Sequence, residues 1–470
     1  MKSNLFVVLF LSQFVAPVWS QNDLAPKFDA LLQEAASKNV FSGNVLVEQD
    51  GRVVYEKSVG MADYSTALPN TAETRFSIGS ITKLFTRILV LQLVSEGKIG
   101  LDDKLGKYLS GFKPEIATGV TVSQLLNHQA GFGQYYDVPG FNPETAAVSS
   151  ASDFLPWLRQ EALAFKPGTQ VEYSNSGYVV LGAILEKVTG KNYAEVLQTG
   201  ILDKIGMSQT GFLFKMKNLP GKAVGYLSNQ PGPLSDNLGF PLFGGGDGGI
   251  YSSVQDLIQF SHSLMSDNRL LSDADKAWLV NEPLFPKHYD TWDDFRKNGR
   301  MAVAGGGPGV NAVLGINMEK KRIVLVLSNF DEGSAEGIFQ RIGAILNGHT
   351  PAPLQPSLGI FLYNLLITKG SAYFSNNLES ELRDNGYKLG DDDMPLLYAG
   401  EALLAGGKAD EAIALYTFYT KTYPRIVVAW NDLGDAYLMK KEKEMAKKCF
   451  QKALELRPGN QRAKESLERL

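Results

Sequence analysis

Apolar residues recur at helical spacing in "APKFDALLQEAASK", residues 25–38, where Phe28, Leu31, Leu32 and Ala35 share one face. The period drops to two in "SGNVLVEQDGRVVYEKSVG", residues 42–60, which predicts two strands joined at Asp50-Gly51. "LFTRILVLQLVSEGKI", residues 84–99, is apolar on nearly every side and predicts a long helix ending near Gly97. Far along the chain, "NAVLGINMEKKRIVLVLSNF" predicts two more strands turning at Glu319-Lys320, and "SAEGIFQRIGAIL" a helix. Strands at both ends with helices between them predict one mixed α/β unit, about residues 24–348, whose sheet joins chain-distant pieces. "NGHTPAPLQPS", residues 347–357, carries three prolines, stops both helix and sheet, and reads as a linker.

Beyond the linker the pattern is helical and repeats. "LLYAGEALLAGGKADEAIALYTFYTKTYP" ends at Pro424, and "WNDLGDAYLMKKEKEMAKKCFQKALELRP" ends at Pro458. A shift of 34 superposes Gly400 on Gly434, Ala412 on Ala446, Tyr416 on Phe450 and Pro424 on Pro458. This register, with Trp430, Leu433, Gly434 and Tyr437, resembles the tetratricopeptide repeat. Small residues let paired helices approach, large ones fill the groove, and proline ends each unit. The clear repeats are about 391–424 and 425–458, and residues 358–394 are read as a degenerate first unit, since one repeat cannot bury its own face. The lysines Lys440, Lys441, Lys443, Lys447 and Lys448 read as a solvated helix face. A small docking module is expected here, for a protein partner or for self-association.

Composition narrows the class. The 470 residues are 44% hydrophobic and 20% charged, which suits a globular protein of two or three domains. A formal charge of −4 gives no basis for nucleic acid as a partner. Residues 1–20 read as a signal peptide: Lys2 is the positive start, "LFVVLFLSQFVAPVW" the apolar stretch, and Val18 and Ser20 the small residues before cleavage. The expectation is an exported protein, periplasmic or secreted, with no membrane span after signal cleavage. Cys449 is the only cysteine, so no internal disulfide forms. His128, His262, His288 and His349 are scattered without ligand spacing, so neither a metal nor another cofactor is expected.

S-x-x-K occurs three times, at Ser80/Lys83, Ser95/Lys98 and Ser110/Lys113, so the spacing alone decides nothing. Context does. Ser95/Lys98 straddles Gly97 at a helix end, and Ser110/Lys113 lies among Gly111 and Pro114, in a loop. Only Ser80, after Gly79, opens a strongly apolar helix. Residues three apart share a helix face, which would hold the Lys83 amine against the Ser80 hydroxyl. A buried lysine loses its proton more readily and can act as a base. The helix start offers free N–H groups to a developing oxyanion. The bland alternative is an ordinary helix start with a solvated lysine. "GTQVEYSNSGYVVLGAIL" adds the chain's single Y-x-N, at Tyr173-Ser174-Asn175. Tyrosine near a lysine can relay protons, and an asparagine amide can hold a carbonyl or the lysine.

Together these motifs resemble the class C branch of the β-lactamase family, which includes D-alanyl-D-alanine carboxypeptidases, esterases and D-amino-acid peptidases. "VTVSQLLNHQAGFG", "FKPGTQVEYSNSGYVVLGAILEKVTG" and "FGGGDGGIYSSVQDLIQF" are similar to family segments in wording and order. The resemblance implies an α/β (α+β) β-lactamase/transpeptidase-like domain over residues 21–348, with an antiparallel sheet flanked by helices. An all-α repeat domain would follow over 358–470, with linker 349–357 between. It implies Ser80 as acylated nucleophile, Lys83 and Tyr173 as its proton relay, and Asn175 as a residue orienting substrate and lysine. His128 is implied to be structural.

The third family motif, Lys-Thr-Gly or His-x-Gly, is altered. Anchoring on Pro308-Gly309 puts Val303-Ala304-Gly305 in its place. Gly305 still permits close approach of substrate backbone, and the Gly306 N–H can complete an oxyanion hole with that of Ser80. The cation that would recognise a substrate carboxylate is lost, a contact worth roughly 1.5–3 kcal/mol, and valine makes the site more apolar. Arg300, on the opposite strand face from Val303, is not expected to replace it. Three functions remain open. The first is an exported serine hydrolase acting on ester or small amide substrates, small-molecule or peptide. The second is a degenerate binding protein whose repeat domain does the work. The third is a β-lactamase or carboxypeptidase that tolerates valine.

Overall fold

The computed structural model describes residues 24–142, 148–212, 221–238, 244–285, 287–390 and 394–470. The expected signal peptide lies outside the described residues.

The first helix, α1 (Ala25–Ser37), buries the Phe28, Leu31, Leu32 and Ala35 face that its spacing predicts. Strands β1 (Gly43–Gln49) and β2 (Arg52–Val59) turn at Asp50 and Gly51, which both take positive φ, 53° and 74°. Three late strands, β3 (Arg300–Gly307), β4 (Val310–Asn317) and β5 (Arg322–Ser328), complete a five-stranded sheet. Its order is β3-β4-β5-β1-β2, antiparallel throughout, with Val45 opposite Val326 where the two chain ends meet. The sheet is therefore closed by chain-distant pieces, and β3 is left as one edge.

Alternation along the strands sorts the side chains into two cores. Val45, Val47, Val313, Val324 and Val326 face α1 and the late helix α4 (Ser334–Leu346). Leu46, Leu314, Ile316, Ile323, Leu325 and Leu327 face a larger helical lobe. At the centre of that lobe is α2 (Thr82–Ser95), buried from Thr82 through Leu91. A helix apolar on all sides is buried on all sides, so its two cations, Lys83 and Arg87, must find partners inside the protein. Helix α3 (Asn175–Thr189) packs beside it and is capped by Ser174, whose hydroxyl accepts the Gly177 N–H at 2.8 Å.

From Leu358 onward the described residues form helices: α5 (Leu358–Lys369), α6 (Ser371–Asp384), α7 (Met394–Ala405), α8 (Ala409–Thr422), α9 (Val427–Met439), α10 (Lys443–Leu456) and α11 (Gln461–Glu468). Their buried side chains form cores separate from those of the sheet. The repeating glycines have the packing role their register implies. A side chain on Gly400 would collide with the Tyr416 ring, and one on Gly434 would stand 2.7 Å from Phe450. Among the described residues no helix is long and apolar enough to cross a membrane.

Candidate active site

Ser80 sits in a tight turn, Gly79–Ile81, that runs directly into α2. Gly79 takes φ 49°, and a Cβ there would stand 2.9 Å from the Gly306 nitrogen. A Cβ on Gly305 would stand 2.6 Å from the Ser80 nitrogen. The two glycines thus let the Ser80 turn lie against edge strand β3.

Lys83 follows one helical turn later, and its Nζ lies 3.1 Å from Ser80 Oγ. The same nitrogen donates to Asn175 Oδ1 at 2.6 Å and to the Asp247 carbonyl at 2.8 Å. A neutral amine has two hydrogens and one lone pair. The two acceptors take the hydrogens, which leaves the lone pair facing Ser80. Burial pushes the Lys83 pKa from 10.5 down to about 8, against the opposing pull of Asp247 and Glu282. Burial in turn raises the Asp247 carboxyl, which Lys83 pulls the other way.

Tyr173 donates to Ser80 Oγ at 2.7 Å. Burial raises its pKa above the ordinary 10.0, although the bond to Ser80 works the other way, so it stands as a neutral phenol. Its ring stacks on His128 at 4.9 Å. His128 Nδ1 accepts the Ser174 N–H at 3.1 Å, which puts the imidazole proton on Nε2, 3.3 Å from Glu282 Oε1. Burial keeps this imidazole from charging, against the pull of Glu282. Glu282 also lies 3.6 Å from Arg87. Burial works to raise its carboxyl, but His128, Arg87 and Lys83 outweigh that and hold it low. His128 thus packs against the Tyr173 ring while its two nitrogens face Ser174 and Glu282. Asn175 is fixed from its other end, where Nδ2 donates to Gln134 Oε1 at 2.7 Å.

The other two S-x-x-K pairs do not assemble. Ser95 Oγ donates to the Leu91 carbonyl and to Asp275 Oδ2, while Lys98 pairs with Glu96. Ser110 offers its carbonyl to Arg159, and Lys113 immediately precedes a short helix, Pro114–Gly119.

Ser80, Tyr173, Asn175 and Gly306 line an open cavity of about 690 Å³, together with Tyr135, Tyr136, Asp247, Tyr251, Ala304, Glu332 and Glu336. Gly305 lies buried behind this wall, against Ile78 and Ser80. One expectation changes. Val303 packs on the main core and is not among the cavity's described lining residues; Ala304, Gly306 and Gly307 are the β3 residues that line it. The motif still lacks a cation, but the valine does not coat the site. Arg300 pairs with Glu319 and does not reach in. Sequence reasoning missed Gln134, Asp247, Glu282, Glu332 and Glu336. Only Asp247 carried a signal, as the single charge inside the quoted "GGGDGG" segment.

A family model described as Beta-lactamase matches residues 28–346, and one described as Tetratricopeptide repeat matches residues 427–460. The chain is 28% identical over 326 residues to "Penicillin-binding protein 4*" of Bacillus subtilis (strain 168), covering 64% of this chain and 71% of that protein. It is 27% identical over 288 residues to "Esterase EstB" of Burkholderia gladioli, covering 53% of this chain and 72% of that protein. Among solved structures, a penicillin binding protein from Bacillus halodurans is similar at a TM-score of 0.58 and 27% identity, covering 67% of this chain and 99% of that one.

Proposed function

This chain belongs to the β-lactamase family of serine hydrolases, and from that premise we propose that it hydrolyses esters or small amides through an acyl-enzyme on Ser80. The observation that carries the reading is the Ser80 hydroxyl held between the Tyr173 hydroxyl at 2.7 Å and the Lys83 amine at 3.1 Å, with the amine's hydrogens already engaged.

Neutral Lys83 takes the Ser80 proton as Oγ attacks the substrate carbonyl. The N–H groups of Ser80 and Gly306 receive the oxyanion. As the tetrahedral intermediate collapses, Tyr173 gives its proton to the departing alcohol or amine and regains one from the Lys83 ammonium. Water then attacks the acyl-serine by the same relay in reverse. Asn175 orients the lysine and the substrate. Absence of a cation at the third-motif position of β3 favours an uncharged ester or amide over a free carboxylate, which sets this reading above a β-lactamase or carboxypeptidase.

The reading extends to export of the chain, periplasmic or secreted, by residues 1–20. It also divides the chain into a hydrolase domain over 21–348 and a repeat domain over 358–470. The tetratricopeptide match supports a protein partner, or a second copy of the chain, for the latter.

The test is labelling with a fluorophosphonate and with a fluorescent penicillin, read by intact mass. The expected result is a phosphonate adduct that Ser80→Ala abolishes and that Ser95→Ala and Ser110→Ala retain. Strong penicillin labelling would favour the β-lactamase or carboxypeptidase reading. No adduct with either probe would leave the non-catalytic binding protein.

A further inference from the structure

A second cavity, of about 390 Å³, lies on the α4 side of the sheet, and none of its described lining residues is shared with the Ser80 cavity. Strand register builds it. Ala302, Gly315 and Val324 stand side by side across β3, β4 and β5 and form its floor, which carries little side chain toward the β3 edge. A side chain on Gly315 would collide with the Phe339 ring, so glycine there lets this ring of α4 lie on the sheet. One turn further along α4, Gly343 has open space where a Cβ would stand. Leu346 and Phe285 add apolar wall. Three small residues, Ala302, Gly315 and Gly343, thus leave a gap between strand and helix that hydrocarbon surrounds. A gap of this size and lining suits a small apolar ligand rather than a peptide.

One register row away the character changes. Arg300, Asn317 and Arg322 are paired across the same three strands, and Lys320 stands in the turn between β4 and β5. All four line the cavity, and its charged described lining residues are these three cations, with no aspartate or glutamate among them. Arg300 is paired with Glu319. Arg322 Nε donates to Gln49 Oε1 at 3.0 Å, a neutral acceptor. Burial lowers the Arg322 pKa, against the pull of Asp50, so an anion beside it would relieve a penalised charge. The Lys320 N–H is held by Asn317 Oδ1 at 3.0 Å, which fixes the turn that carries the ammonium. The N–H groups of Asn347, His349 and Gly348 take the Gly343, Ala344 and Ile345 carbonyls, which blunts the negative end of α4 nearby. The groove is therefore hydrocarbon along its floor and cationic at one end.

We propose that this groove is a second ligand site, separate from Ser80, that binds a medium-chain aliphatic carboxylate. The chain lies between α4 and the β3 edge, and the carboxylate meets Arg322 and Lys320. The proposal does not depend on the hydrolase reading.

The test is calorimetric titration of the full chain at pH 8 with decanoate, 1-decanol, decyltrimethylammonium and hexanoate, each below its micelle-forming concentration. Decanoate is expected to bind saturably, roughly tenfold more tightly than the alcohol, the size of a charge-assisted contact, and more tightly still than the ammonium. Shortening it to hexanoate should weaken binding about threefold for each CH2 removed. Arg322→Gln removes the charge, and Gly343→Leu fills the gap. Each should weaken decanoate roughly tenfold while circular dichroism stays as in the wild type. Should Gly343→Leu fail to fold, Ala302→Leu on the exposed β3 edge fills the same gap. Absence of saturable binding, alcohol or ammonium bound as tightly as decanoate, or a loss smaller than threefold in either variant would overturn the proposal. Decanoate affinity untouched in both variants would put the carboxylate in the Ser80 cavity instead.

Discussion

In the proposed mechanism Lys83 must be neutral to accept the Ser80 proton, which ties turnover to its titration. Burial lowers its pKa from 10.5 to about 8, which disfavours the ammonium by roughly 3 kcal/mol. At pH 7 the neutral fraction is then about a tenth, roughly 300-fold more than an unburied lysine would offer. Below pH 8 that fraction falls about tenfold per unit. Tyr173, raised above 10.0, stays protonated over the same range and adds no falling limb. The assay is kcat/KM for a p-nitrophenyl ester from pH 6 to 9.5, with the Ser80→Ala rate subtracted as the blank. The profile should rise with a slope near one and level off around pH 8. Because Asp247 pulls the Lys83 pKa upward, Asp247→Asn should move the limb to lower pH. A flat profile, one that falls as pH rises, or a midpoint above pH 10 would refute the assignment of Lys83 as base. The same burial carries a stability consequence. Between about pH 8 and 10.5 the unfolded chain holds a proton that the folded chain has released, so stability should rise with pH there.

Two substitutions test the packing. Gly305→Ala puts a methyl against Ile78 and the Ser80 nitrogen, so kcat should fall about a hundredfold, the cost of losing one oxyanion donor; wild-type kcat in this variant would contradict the close approach of β3. Gly434→Leu overfills the α9–α10 contact at Phe450 and should cost about 1–3 kcal/mol in denaturant unfolding of the repeat helices, with ester hydrolysis retained.

The parts legible in the sequence are those whose partners lie close in the chain or whose spacing is unique. Ser80 and Lys83 are three apart on one helix, and their contact follows from helical geometry. Tyr173 and Asn175 were found as the single Y-x-N, though their reach to Ser80 and Lys83 spans more than ninety residues. The 34-residue register exposed Gly400 and Gly434 because each repeat solves the same packing problem. Gln134, Glu282 and Glu332 were not legible, since nothing in their own segments marks them. They matter only because the fold brings them to Asn175, His128 and Gly306. Val303 shows a subtler limit. Its place in the motif was read from the sequence, but which face of β3 meets the cavity is fixed by Gly305 packing on Ile78 and Ser80, a contact between distant segments.

The account stands on a covalent acyl-serine. Rapid quench of the full chain with a p-nitrophenyl ester, followed by intact mass and peptide mapping, measures it directly. The account predicts a transient mass increase equal to one acyl group, localised to the segment "RFSIGSITK", residues 75–83, and assigned within it to Ser80. Turnover without any acylated species, or acylation of Ser77, Ser95 or Ser110 instead, would contradict it.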